Sequence, residues 1–155
     1  IDQQTVMPDN RINVPVTDQS SAFINTDDYN STAIQIVAET IFEDQRIHLT
    51  EKTFQPMVAG QPFITLSSPG TLEILKYYGF QTFDHVIDES YDSEQNNDTR
   101  LSMIIEQVNK LKNIKLTDDE TVKRTTHNHK LFFDTDWSKQ QFTENLFSPI
   151  LELLS

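Results

Sequence analysis

The sequence predicts an α/β fold: a three-layer, Rossmann-like half-domain with a short parallel sheet flanked by helices and extra helices at its C-terminal end. Three observations predict it. Segments rich in β-branched and aromatic residues alternate with segments of helical periodicity, the connections between them are short, and 155 residues is the length of one domain. We therefore expect an extended polar arm or linker over residues 1–31 and a single α/β domain over residues 32–155.

The first 31 residues are polar, with five Asp against one Arg. This composition is typical of an extended arm with a short strand at residues 12–16, and a partly disordered leader fits it equally. The chain begins with Ile1 rather than Met, so we expect it to be processed or cut from something longer. It shows no positively charged start followed by an apolar core, so we expect no signal peptide in this form.

The domain begins with a predicted strand, because residues 33–42 are rich in β-branched side chains. A helix start follows a polar loop. Thr50 is placed to cap free backbone N–H groups, while Leu49 and Phe54 have the spacing of a hydrophobic staple. Pro56 predicts that this helix is short or bent, and the glycine at position 60 predicts its end.

The alternation of strands and helices continues, with further strands predicted at residues 62–66 and 81–87. Between them, Ser68 followed by Pro69 is the pattern of a helix cap and a first helical residue. The apolar residues of that helix recur at helical spacing, and a glycine ends it. They are Leu72, Leu75 and Tyr78, before Gly79.

The C-terminal half is predicted to be helical after a solvated acidic loop at residues 84–98. One helix starts at Asp98 or Thr99, and a second starts at the capping-box pattern 117–120. A last helix follows Asp136. Its predicted buried stripe consists of Phe142, Leu146, Phe147, Ile150, Leu151 and Leu154.

Composition excludes several functions. The net charge of -12 opposes binding to nucleic acid, whose phosphates an acidic surface repels. The absence of cysteine excludes disulfides, thiolate metal sites and thiol nucleophiles, and it suits a reducing compartment, so we expect a cytoplasmic protein. No apolar run is long enough to predict a membrane span.

The segment Thr50-Glu51-Lys52 is the most informative candidate for a binding site. A helix N-terminus presents unpaired N–H groups and about half a positive charge, and Lys52 in the first turn would add a full one. Such a position suits a diphosphate, and Glu51 is able to accept hydrogen bonds from ribose hydroxyls. Arg46 in the preceding loop is a candidate second cation. The alternative is that Glu51 only favours the helix N-terminus and that Lys52 is its solvated neighbour.

A second candidate is the small-residue loop that contains Ser68 and Gly70, which follows a predicted strand and whose N–H groups would suit a phosphate or sugar. It lacks the spacing of a Walker loop and of a dinucleotide fingerprint. A simple helix cap is the favoured interpretation of this loop.

These motifs together resemble the C-terminal half of GT-B-type glycosyltransferases, above all fucosyltransferase-like enzymes and their bacterial and phage relatives. The resemblance covers roughly residues 33–111 and lies in Thr50-Glu51-Lys52 opening a helix after a strand, followed by the strand that begins Gly60-Gln61-Pro62. It implies that Glu51 contacts ribose and Lys52 contacts phosphate of a GDP- or UDP-sugar, whose sugar passes to a hydroxyl of a glycan acceptor. It implies no metal or other cofactor. The acceptor half, with the general base, would be a missing N-terminal domain.

Three other patterns are open to a second interpretation. Asp134-Thr135-Asp136 matches the Asp-x-Asp pattern of metal-dependent glycosyltransferases, but Asp136 also suits a helix cap. His127 and His129 would share a face only on a strand, where they would suit zinc or nickel. The acidic segment 88–92 lacks the spacing of a calcium loop. A non-catalytic α/β interaction module of phage or bacterial origin is the alternative to the transferase.

Overall fold

The computed structural model describes residues 26–112, 114 and 116–144. Over these residues the chain has a mixed α/β fold with a parallel two-stranded sheet, so the predicted α/β class is confirmed at that level. The predicted strand at 12–16 and the stripe residues 146–154 lie outside the described residues. The elements in chain order are α1 (Thr26–Ser31), β1 (Gln35–Ala38), α2 (Glu51–Ala59), β2 (Phe63–Leu66), α3 (Thr71–Tyr77), a 3-10 helix (Glu89–Ser93), α4 (Asn97–Leu111), α5 (Asp119–Phe132) and α6 (Thr135–Phe142).

The sheet is a β1–α2–β2 unit. Gln35 pairs with Phe63 and Ala38 with Leu66, so the two strands are parallel and in direct register. Parallel neighbours require a crossover connection, which α2 supplies. β2 is the more deeply buried strand, whereas Ile36 of β1 is 51% exposed.

Helix α2 begins and ends where its sequence predicts. The Thr50 side chain accepts a hydrogen bond from the Lys52 N–H, which is the expected N-cap. Gly60 takes a left-handed conformation with φ of 68° and ends the helix. Pro56 lies inside this nine-residue helix, which is as short as predicted.

Helix α3 begins two residues later than predicted. Gly70, with φ of 83°, is its N-terminal cap residue, and the helix starts at Thr71. The predicted cap at Ser68 is wrong because the Ser68 hydroxyl donates to the carbonyls of Ile41 and Arg46 instead.

The predicted third strand at residues 81–87 is wrong: this segment is a loop and a turn. Its backbone groups pair with side chains of α5 rather than with a neighbouring strand. The Gln81 N–H donates to Asn128 Oδ1 at 2.7 Å, and Asn128 Nδ2 donates back to the Gln81 carbonyl at 2.7 Å. Arg124 donates to the Thr82 carbonyl at 2.7 Å. The apolar side chains of this segment are nevertheless buried, as those of a core strand would be.

The acidic segment 84–98 is not the solvated loop that was predicted. It contains the 3-10 helix, in which Tyr91 is 2% exposed. The next helix, α4, begins at Asn97 because Asn96 caps it, one or two residues before the predicted start. Polar groups of the segment 84–98 contact neighbouring elements, so its acidic composition does not make it a solvated loop.

The last two described helices start within two residues of their predicted positions, each with a different cap. α5 is capped by Asp118 rather than by the Thr117 of the predicted capping box. α6 is capped by Asp134, whose carboxylate accepts the N–H groups of Asp136 and Trp137, so the helix starts before Asp136 rather than after it.

The core lies between the sheet and the helices and is rich in aromatic rings. Phe63 and Phe83 meet edge to face with centroids 5.3 Å apart, and Phe80 meets Trp137 in the same way at 5.3 Å. The buried apolar residues among those described are Val37, Met57, Phe63, Ile64, Leu72, Leu75, Phe80, Phe83, Ile87, Tyr91, Ile104, Leu111 and Leu116.

Truncation of Leu75 tests this core. Leu75 is fully buried, so Leu75→Ala is expected to lower the free energy of unfolding by about 2–5 kcal/mol through lost burial and the remaining cavity. Tyr77 on the same helix is 74% exposed, and Tyr77→Ala is the control. Urea unfolding followed by fluorescence measures both. Equal losses for the two variants would contradict the packing of α3.

Candidate functional site

The candidate site lies at the carboxyl edge of the sheet, where both strands lead into loops. β1 continues into Glu39 and the loop 40–49, and β2 continues into the loop 67–70. The first turn of α2 starts at the end of the former loop. The edge therefore gathers the predicted residues Thr50 and Lys52 around a carboxylate, Glu39, that the sequence reasoning did not single out.

The carboxylate of Glu39 is bound to the start of α2. It accepts hydrogen bonds from the Thr50 N–H at 3.0 Å and from the Thr50 hydroxyl at 2.7 Å, and a further one from the Thr53 hydroxyl. Glu39 is 8% exposed. An anion of the protein itself thus already occupies the N-terminus of this helix, where the helix dipole favours negative charge.

The ionisation of Glu39 follows from these contacts. Burial by itself raises the pKa of Glu39, but the hydrogen bonds from Thr53, Thr50 and the Thr40 N–H outweigh it and leave the pKa below its ordinary value. Glu39 is therefore a stable anion at neutral pH.

Glu51 and Lys52 lie beside this carboxylate but are not bound to it. Glu51 is exposed, and Lys52 is half-buried with Nζ 3.5 Å from the Thr40 hydroxyl. The contact of Lys52 with Thr40 is itself exposed to solvent.

The cation of Arg46 is directed to a carboxylate in its own loop. Its Nε donates to Asp44 at 2.7 Å, and Nη2 lies 2.6 Å from the same oxygen. The side chain is 79% exposed, so this pair is held in water. Arg46 lies near the edge, but its charge is balanced locally.

Ser68 lies beneath the loop 40–49, whereas Gly70 is half-buried. The Ser68 hydroxyl donates to the carbonyls of Ile41 at 3.2 Å and Arg46 at 3.0 Å. A Cβ added at Gly70 would lie 3.3 Å from Cδ1 of Ile47. Ser68 is therefore not accessible to a phosphate in this arrangement, while Gly70 remains partly exposed.

A second carboxylate occupies the N-terminus of α3. Asp92 of the 3-10 helix accepts the N–H groups of Leu72 at 3.0 Å and Glu73 at 3.2 Å, one with each oxygen. Burial raises the pKa of Asp92, and these two N–H groups oppose the rise only in part. A groove of about 440 Å³ opens beside it. Its lining residues include Pro69, Gly70, Glu73, Lys76, Glu89 and Asp92, and none of Thr50, Glu51 or Lys52.

Arg100 is a buried cation that sequence reasoning missed. It is 1% exposed, on the inner face of α4, and it donates to the carbonyls of Phe42 and Glu94. Its guanidinium carbon lies 4.3 Å from the centre of the Phe42 ring. Burial lowers the pKa of Arg100, opposed by Glu94 and Asp92. Its position among the apolar residues of an amphipathic helix was the available signal.

The predicted alternatives to this site are explained by local structure. His127 and His129 lie on α5, and each ring donates to a backbone carbonyl, of Gly79 at 2.8 Å and of Val58 at 2.9 Å. Asp134 is a helix cap and Asp136 is exposed. Within residues 26–112, 114 and 116–144, no three His, Asp or Glu side chains gather as a metal would require.

Comparison of the chain with protein-family models, with curated proteins and with solved structures finds no match. The resemblance to glycosyltransferases therefore rests on the residues of this chain. Among the described residues, no helix combines the length and the apolarity that crossing a bilayer needs.

Replacement of Glu39 tests the contact that closes the carboxyl edge. Glu39→Gln removes the charge and turns an amide NH₂ toward hydroxyl donors, so the free energy of unfolding is expected to fall by about 2 kcal/mol at pH 7. Glu51→Gln, in the exposed first turn, is the matched control and should leave stability unchanged.

The same variant gives a pH dependence with a definite sign. Because the folded-state pKa of Glu39 is depressed, its stabilisation is present above the ordinary glutamate value of 4.5 and is lost as the pH falls through the folded pKa. The difference between wild type and Glu39→Gln should therefore shrink below about pH 4.5 in urea titrations. A difference that is constant down to pH 3 would contradict this assignment.

Proposed function

We propose that this chain is the nucleotide-sugar-binding half of a GT-B-type glycosyltransferase, with a Rossmann-like sheet arrangement, and that it holds a GDP- or UDP-sugar for transfer to an acceptor hydroxyl. The single observation that carries the proposal is the position of Thr50-Glu51-Lys52. This segment opens the crossover helix of a parallel βαβ unit, beside the carboxyl ends of the strands. Open α/β sheets bind their ligands at that edge.

Lys52 is the group proposed to bind the diphosphate. The N–H of Thr50 and the hydroxyls of Thr50 and Thr53 are engaged by Glu39, so the helix N-terminus itself has less to offer an anion. The ammonium of Lys52 has no carboxylate partner among the described residues. It lies 3.5 Å from the hydroxyl of Thr40. Charge attraction from Lys52, rather than backbone N–H groups, would therefore hold the phosphates.

Glu51 is proposed to bind ribose. It is the exposed neighbour of Lys52 in the same helical turn. A nucleoside diphosphate carries its ribose next to its phosphates. The adjacent residues Glu51, a hydrogen-bond acceptor, and Lys52, a cation, therefore suit the ribose and the phosphates of one ligand. Arg46 would add a second cation after exchanging Asp44 for phosphate.

The chemical contribution of this half would be stabilisation of the leaving group. Transfer of the sugar develops negative charge on the departing diphosphate, and a cation already in position lowers the energy of that state. The general base and the acceptor contacts would lie in a separate N-terminal half, so this chain by itself is proposed to bind the donor without turning it over.

A non-catalytic interaction module is the second candidate, and one observation favours it. Both helix N-termini at the carboxyl edge are filled by the protein's own carboxylates, Glu39 at α2 and Asp92 at α3. As an interaction module the chain would have no affinity for nucleotides. The two candidates therefore differ in a measurable property.

Nucleotide binding separates them. GDP, UDP and their sugars should raise the melting temperature of the chain if it is a donor-binding half. Lys52→Ala is then expected to weaken GDP about tenfold or more while changing guanosine binding little, because one full charge on the diphosphate is lost. Isothermal titration calorimetry measures both ligands.

Two further variants complete this test. Glu51→Ala should weaken guanosine and GDP alike, since both carry ribose. Lys139→Ala, at a 77% exposed lysine on α6, is the control for the loss of one positive charge. A flat thermal response to every nucleotide sugar would favour the interaction module, and equal affinities in wild type and both site variants would remove the assignments of Glu51 and Lys52.

A further inference from the structure

The loop between β1 and α2, residues 40–49, lies across the carboxyl edge as a strap. It contains no helix or strand, and none of its ten residues is fully buried. Its carbonyls of Ile41 and Arg46 contact the hydroxyl of Ser68, a residue that is 2% exposed. The strap thus contacts the loop that follows the second strand.

Side chains from two other elements hold this strap through its carbonyls. Ser68, after β2, donates to Ile41 near the start of the strap and to Arg46 in its middle, 3.2 and 3.0 Å away. Arg100, from α4, donates to Phe42 and lies 4.3 Å from the centre of that ring. Two residues distant in sequence therefore act as latches on a segment that has no regular backbone pairing of its own.

The middle of the strap is easier to open than its two ends. Phe42 and Leu49 pack against the core, and Glu39 and Thr50 beyond the two ends are joined at 3.0 Å. Residues 43–48 between them are mostly exposed. Segments with few buried apolar contacts open locally at a small fraction of the free energy of global unfolding.

We propose that residues 40–49 form an autoinhibitory strap, latched by Ser68 and Arg100, that must lift from the carboxyl edge before a ligand reaches the Ser68 hydroxyl. Its gating of a nucleoside diphosphate rests on the proposed function. Its opening does not, because opening is a property of the free chain.

Limited proteolysis measures the opening directly. Arg46 is an exposed trypsin site in the middle of the strap, and cleavage there follows the fraction of molecules in which the strap is lifted. Ser68→Ala removes the one hydroxyl hydrogen that the carbonyls of Ile41 and Arg46 share, and it is expected to speed cleavage after Arg46 about tenfold. Mass spectrometry of the fragments 1–46 and 47–155 identifies the cut.

A variant of the second latch and a control variant complete this measurement. Arg100→Lys keeps the positive charge but shortens the donor to Phe42, so it is expected to speed the same cleavage by a different latch. Thr125→Val removes a buried hydroxyl that donates to Val122 within α5 and is the matched control, expected to cleave like wild type. Unchanged cleavage in both latch variants, or an equal increase in Thr125→Val, would overturn the strap.

GDP binding then tests the gating. If the strap gates the edge, Ser68→Ala binds GDP more tightly or faster than wild type, and bound GDP changes the cleavage rate at Arg46. Identical GDP binding by wild type and Ser68→Ala would overturn the gating while leaving the proposed function in place. Faster cleavage in Ser68→Ala with no GDP binding by either form would overturn the proposed function and the gating together, and leave the strap as a conformational feature alone.

Discussion

The carboxylate of Glu39 is the contact on which the arrangement of the carboxyl edge depends. It binds the end of β1 to the first turn of α2 through the N–H and hydroxyl of Thr50 and the hydroxyl of Thr53. Because helix N-termini favour negative charge, this internal anion stabilises α2. It also sets the position of Lys52 in the first turn of that helix. The geometry of any ligand site here is therefore decided by a residue that need not touch the ligand.

Asp92 repeats this device at the start of α3, from an element that follows it in the chain. Its pKa is shifted in the opposite direction to that of Glu39, because burial is opposed at Asp92 by two N–H groups and at Glu39 by two N–H groups and two hydroxyls. This acidic protein thus uses two of its own carboxylates as helix-terminal anions.

Local interactions made part of the fold predictable. The start of α2 at Thr50 and its end at Gly60 depend on residues within one turn, and both were predicted correctly. The third strand was not, because residues 81–87 have the apolar pattern of a strand while their pairing partner is the side chain of Asn128, 47 positions away from Gln81. The start of α3 was missed for the same kind of reason: Ser68 is drawn to the carbonyls of Ile41 and Arg46.

For this protein, the sequence by itself determined the α/β class, the helix cap at Thr50, and the nearness of Glu51 and Lys52 in one turn, since these follow from the local pattern of the chain. Only the tertiary structure decided that Glu39 fills the start of α2, that Arg100 reaches Phe42 and that Ser68 lies beneath a strap. The physical reason is that a buried polar group must find a partner wherever the fold offers one, and those partners lie 11, 58 and 22 residues away in the chain.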